Sequence, residues 1–307
     1  MSTSGVTSFS LDLNSLVEES FERCGQELRT GYDLRTARRS LNLLLLEWSN
    51  KGVNLWTVDQ GQIPLNTGQG IYPLPLDTVD LLDHVVRQYP GLSGQTDISI
   101  TRIAEPTYIS IPNKLANGRP IQIYVNRQAG ISYPLTATLN GNIDADDSSI
   151  TLSSTSELAS TGFITIGSEV ISYMNKSDNT LTNCYRGQNG TTAASHTTGA
   201  SVTRNNLPCI YIWPTPNNPG NQYTLMYYRL KRMQDAGAGG TFEQDIPFRF
   251  LPAMVAGLAY YLAMKLPGAQ DRLMALKADY DMQWQLASDE DRDKAPVRFV
   301  PRNCWVR

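Results

Sequence analysis

The side chains that most often carry chemistry are few and scattered in this sequence. Only two histidines, His84 and His196, occur in 307 residues. A histidine-based triad or a multi-histidine metal site therefore lacks raw material, and no GxSxG, HExxH or phosphate-loop sequence is present. Cys24, Cys184, Cys209 and Cys304 lie far apart, matching neither a paired zinc spacing nor a dense disulfide framework, and read as free thiols of a reducing compartment. The acidic run Asp144, Asp146, Asp147 begins like a calcium loop. It lacks the EF-hand glycine and has Thr155 where the closing glutamate would stand, so a solvated turn is the expectation. His196, within NGTTAASHTTGA, reads as a turn histidine satisfied by its surroundings, and the DAGAGG stretch at 235–240 as a flexible connection. No metal and no cofactor is implied, and catalysis would have to rest on carboxylates such as Glu105 and Glu169, which nothing in the sequence pairs.

Surface chemistry is more promising. Arg29, Arg35, Arg38 and Arg39 cluster around the first two predicted helices, where they could face DNA phosphate, acidic groups of a protein partner or solvent. Lys and Arg together number 26 against 29 Asp and Glu, which argues against a protein whose whole surface grips nucleic acid. No apolar run is long enough for a membrane span, and the first residues do not form a secretory signal. The last residues, KAPVRFVPRNCWVR, cannot continue a helix and are too apolar to stay idle, so they are expected to dock on a partner.

The elements that position these residues follow from periodicity. Leu13, Val17, Ser20, Phe21, Cys24 and Leu28 fall at helical spacing, with Ser15 and Glu18 as a capping box. A second helix takes Asp33 as its N-cap, carries the stripe Leu34, Ala37, Leu41, Leu44 and Trp48, and stops at Gly52. The two are expected to form an antiparallel hairpin. Leu43 and Leu46 fall off the stripe, which implies burial on a second side, in a bundle or against another chain. Near the other end, PFRFLPAMVAGLAYYLAMKLPG and AQDRLMALKADYDMQWQLASDEDRD read as two more helices, the first with enough small residues for a neighbour to approach closely. Between the ends, short Pro- and Gly-punctuated β pieces at 53–127 resume after 206, and their aromatics are expected to be mostly core.

The expected fold class is α+β: an antiparallel helix bundle built from both chain ends plus a β-sheet domain, with a small all-β domain inserted. Residues 1–128 and 206–290 form the core. The Thr-, Ser- and Asn-rich stretch 129–205, with SSITLSS and GFITIGSEVISYM, is the insert, and 291–307 an extended tail.

YDLRTARRSLNLLLLEWSNKGVNLWTV, YIWPTP before a Tyr-rich strand, and PFRFLPAMVAGLAYYLAMKLPG together resemble the head-to-tail adaptors of short-tailed bacteriophages, also called tail tubular protein A or head completion proteins. The insert is similar to a small β module of phage virion proteins. The resemblance implies a structural virion protein of the neck, assembled in the host cytoplasm, and not an enzyme. It implies a dodecameric homo-oligomeric ring between the portal protein and the tail nozzle or tube protein, with DNA passing unbound through the lumen. It further implies that the tail reaches the portal, with Val297, Phe299, Val300 and Trp305 as anchors and Arg298, Arg302 and Arg307 pairing charge. A conduit has to release its cargo, so Arg35, Arg38 and Arg39, with Leu43 and Leu46, are assigned to subunit or portal contacts. Two alternatives belong to other classes: tail fibre or spike attachment, or receptor binding, through the insert, and a virion-associated polysaccharide hydrolase.

Overall fold

The computed structural model describes residues 4–29, 31–52, 55–217, 222–237 and 241–291. The chain divides into two compact units, one from residues 1–57 with 233–307 and one from 58–232. The whole is a mixed α+β protein with several antiparallel sheets and five α-helices among the described residues.

The first unit is helical. It holds α1 (Leu13–Arg23), α2 (Gly31–Lys51), α4 (Leu251–Ala263) and α5 (Leu273–Glu290); the short α3 (Glu105–Ile109) belongs to the second unit. α1 begins earlier than the capping box predicts: Asp12 is the N-cap, its carboxylate accepting from the Ser15 N–H at 2.8 Å, and Ser15 and Glu18 lie inside the helix. α2 likewise starts at Gly31, which leaves Asp33 in its first turn, and Gly52 ends it at φ +74°. α4 is the common partner. Ten of its 13 residues are buried, because Ala253, Ala256, Gly257, Ala259 and Ala263 let other helices close on several sides. A Cβ on Gly257 would meet Leu44 of α2 and Tyr280 of α5 at 2.9 Å each. α1 and α2 touch each other, and each packs more extensively on α4. One apolar core joins Leu16, Phe21, Leu41, Trp48, Phe250, Met254, Leu258 and Leu262.

The second unit is built from strands: β1 (Val58–Pro64), β2 (Ile71–Pro73), β3 (Thr78–Gln88), β4 (Thr96–Ser99), β5 (Thr101–Ile103), β6 (Asn117–Gly118), β7 (Gln122–Asn126), β8 (Ser132–Thr138), β9 (Ser149–Thr151), β10 (Gly162–Ile166), β11 (Glu169–Ser177), β12 (Thr180–Gln188), β13 (Ser201–Asn205), β14 (Cys209–Trp213), β15 (Thr215–Pro216) and β16 (Tyr223–Lys231). Four-stranded sheets of order β1-β16-β3-β4 and β2-β14-β7-β5 share one core, with Leu81, Val86, Leu225 and Tyr227 from the first and Ile123, Val125, Ile210 and Ile212 from the second. β16 alternates as a half-buried strand must, and its inward Arg229 is neutralised by Asp59 at 3.0 Å and Asp77.

Residues 132–205 make a six-stranded antiparallel sheet, β8-β13-β10-β11-β12-β9, over a core of Ile150, Ile164, Ile166, Ile171 and Leu181. Its two ends are brought together: Cys209 pairs with Asn126, and the Gly130 N–H donates to the Asn206 carbonyl at 2.8 Å. The sheet also shares a core with β2 and β14, through Ile71, Phe163, Val170, Met174 and Cys209, and Gln69 donates to Gln188 at 2.9 Å. It is therefore packed against one sheet whose strands come from both sides of it in the sequence.

Candidate interaction surface

α2 is fixed on its inner side and open on its outer side. Ala37, Leu41, Leu44, Leu45 and Trp48 are buried. A polar and aromatic cluster locks the C-terminal half of the helix. Trp48 Nε1 donates to Tyr280 Oη at 2.9 Å, and Tyr280 Oη and Tyr261 Oη donate to the Glu47 carboxylate at 3.1 and 2.7 Å. Lys51 Nζ reaches Glu47 at 2.8 Å and lies 4.4 Å from the centre of the Trp284 ring. Burial alone would raise the Glu47 pKa, but the hydrogen bonds from Lys51, Tyr261 and Tyr280 outweigh it and hold the carboxyl below its ordinary value.

The outer side carries Arg35, Arg39, Leu43 and Leu46, spaced four, four and three residues apart and so aligned along one face. Leu43 is 49% and Leu46 41% exposed. Arg35 and Arg39 are exposed and Arg38, next to the stripe, is half-buried. Among the described residues no ion pair or hydrogen bond engages these three guanidinium groups. The result is a helix face that is basic in its first half and apolar in its second, on a backbone its other face holds rigid. Such a face can dock on a surface with an acidic and an apolar patch.

The sequence-predicted anchors Val297, Arg298, Phe299, Val300, Arg302, Trp305 and Arg307 lie outside the described residues.

The groups weighed for catalysis or metal binding fall in separate places. Glu169 opens β11 and is 1% exposed. Its carboxylate accepts from Arg186 Nε and Nη2, both at 2.8 Å, and from the N–H groups of Gly187 and Ala194 at 3.0 and 3.2 Å; His196 Nε2 lies within 2.8 Å. Burial would push the carboxyl up, yet these donors bring it down from 4.5 to about 2. A general acid needs the opposite shift, and the occupied lone pairs make Glu169 a knot that ties β11 and β12 to the loop around His196. Sequence periodicity gave no sign of this knot, because its members are far apart in the chain. Asp144 and Asp147 close a turn, the Asp144 N–H donating to the Asp147 carboxylate at 2.8 Å. Glu105 lines a different cleft, of about 400 Å³, beside the rings of Tyr108, Tyr124 and Tyr211, of which Tyr124 stacks on both others while Tyr108 and Tyr211 are tilted to each other. Burial first, and then the Arg102 charge, lower the pKa of His84 on β3. Among the described residues no three His, Cys, Asp or Glu side chains gather as a metal site, and no helix is long and apolar enough to cross a membrane. Cys24, Cys184 and Cys209 are free and buried. Among the strand aromatics, expected to be mostly core, Tyr228 is 47% exposed, on the outward side of β16.

No protein-family model matches the chain, and no curated protein matches it.

Proposed function

We propose that the chain is a structural protein of a phage virion, a head-to-tail adaptor whose copies close into a dodecameric ring between the portal and the tail nozzle or tube, continuing the channel through which DNA is retained and ejected. In this reading the helices of the first unit are the adaptor's bundle, residues 129–205 are an inserted domain open to a fibre or spike, and the C-terminal residues bind the portal. The observation that carries the proposal is the outer face of α2. Among the described residues no ion pair or hydrogen bond engages the guanidinium groups of Arg35 and Arg39, and Leu43 and Leu46 are exposed, on a helix whose inner face is buried, which suits a surface meant for a neighbouring subunit. The sequence resemblance supplies the copy number and the partners. A ring is closed only if each copy presents two different, complementary surfaces, and a basic and apolar helix face is one such surface.

The test is assembly with purified portal, followed by sedimentation and electron microscopy. The proposal expects rings on the portal vertex and their loss when Leu43→Glu and Leu46→Glu are combined, with the monomer still folded. Rings that form undiminished with both substitutions, or particles that never associate with the portal, overturn it.

A further inference from the structure

The N-terminal segment, α1 and the start of α4 enclose a groove of about 650 Å³ lined by Phe9, Leu11, Phe248 and Leu251 with Glu18, Glu19, Glu22 and Arg23; Arg23 is itself paired with Glu19 at 3.0 Å and Asp279 at 3.2 Å. Phe9 and Phe248 are each 75% exposed, so among the described residues two phenyl rings face an open trough. A second hollow shares Phe9, Phe248 and Leu251 and adds Glu243, which extends the acidic margin. Glu18 and Glu22 are exposed, and among the described residues neither side chain has an ion-pair partner.

The last described helix ends at this same place. Arg249 Nη1 donates to the Glu290 carbonyl at 3.0 Å, and Arg249 is the neighbour of Phe248 in the groove floor. The 16 residues from Arg292 to Arg307 carry Val297, Phe299, Val300 and Trp305 with five basic residues and one aspartate, Asp293. Seven residues of extended chain span about 23 Å, which sets the reach of residue 297 from the end of α5. Apolar anchors set among positive charges complement an apolar floor with an acidic rim.

We propose that this groove seats the chain's own C-terminal segment before it meets another protein. The apolar side chains of that segment match the Phe9–Phe248 floor in chemistry, and its basic ones match the carboxylates of Glu18, Glu22 and Glu243. The inference concerns the free chain and does not rest on the adaptor reading. If that reading holds, the groove shelters the portal-binding anchors until the portal competes for them.

The test uses the full chain with the photoreactive p-benzoylphenylalanine at position 299, irradiated at nanomolar concentration, with crosslinked peptides mapped by mass spectrometry. Crosslinks within one chain, to residues 7–23 or 248–255, are expected. Combining Glu18→Lys with Glu22→Lys should lower their yield about fivefold, since both positions are exposed and their reversal leaves the fold intact. Crosslinks that map elsewhere, that join two chains, or whose yield ignores the charge reversal overturn the proposal. No portal is present in this assay, so its failure leaves the ring experiment standing.

Discussion

Replacing Glu169 by Gln keeps the shape of the side chain and removes its charge, which isolates what the carboxylate does. The Arg186 side chain is only 7% exposed and faces Glu169 through two hydrogen bonds of 2.8 Å. Without the carboxylate a buried guanidinium loses its counter-charge, and the new amide NH2 is turned toward donors instead of accepting from them. Breaking a buried pair by removing one partner costs about 3–5 kcal/mol. The depressed carboxyl leads to a similar figure: held at about 2 instead of 4.5, it contributes about 3 kcal/mol to folding when ionised. The two agree, and for a unit of this size they correspond to a melting temperature lower by about 10 °C at pH 7. The sign of the pH dependence follows. A depressed carboxyl stabilises fully above the unfolded value of 4.5, and its contribution fades as pH falls toward about 2. Calorimetry of wild type and Glu169→Gln between pH 7 and pH 2 should therefore show a gap that is constant down to about pH 5 and closes on further acidification. A gap below about 1 kcal/mol at pH 7, or one that persists undiminished at pH 2, would refute the account of Glu169 as an ionised knot.

Other substitutions probe the helices. Gly257→Val forces a side chain into the space held by Leu44 and Tyr280, and should cost about 2–3 kcal/mol in denaturant unfolding. Tyr280→Phe removes the hydroxyl that joins Trp48, Lys51 and Glu47, and should cost about 1–2 kcal/mol while leaving the circular dichroism spectrum unchanged. Leu43→Glu alone, on an exposed position, should change monomer stability by less than about 0.5 kcal/mol yet weaken self-association measured by sedimentation. Arg35→Glu with Arg39→Glu should reduce the rate of assembly, and the loss should shrink as salt is raised.

The sequence by itself determined where helices and strands lie, because that information is local. The stripe Leu41, Leu44, Trp48 is buried along α2, the small residues of α4 are its packing surface, and the β pieces at 53–127 and after 206 pair into common sheets. Leu43 and Leu46 could be singled out for the same reason, since a residue off the helical stripe must face something else. Helix starts were less legible: Asp12 and the Ser15–Glu18 pair offer competing caps, and only the path of the preceding chain, bridged at Asp12 to Glu243, selects the first. What the tertiary structure alone decided is which distant groups meet. Glu169, Arg186 and His196 form one knot, Glu47 takes donors from α2, α4 and α5, and Phe9 comes to lie beside Phe248 across a groove. Periodicity tells which way a side chain points relative to its own element. It does not tell what stands opposite, because that depends on how elements far apart in the chain pack to bury their apolar faces together.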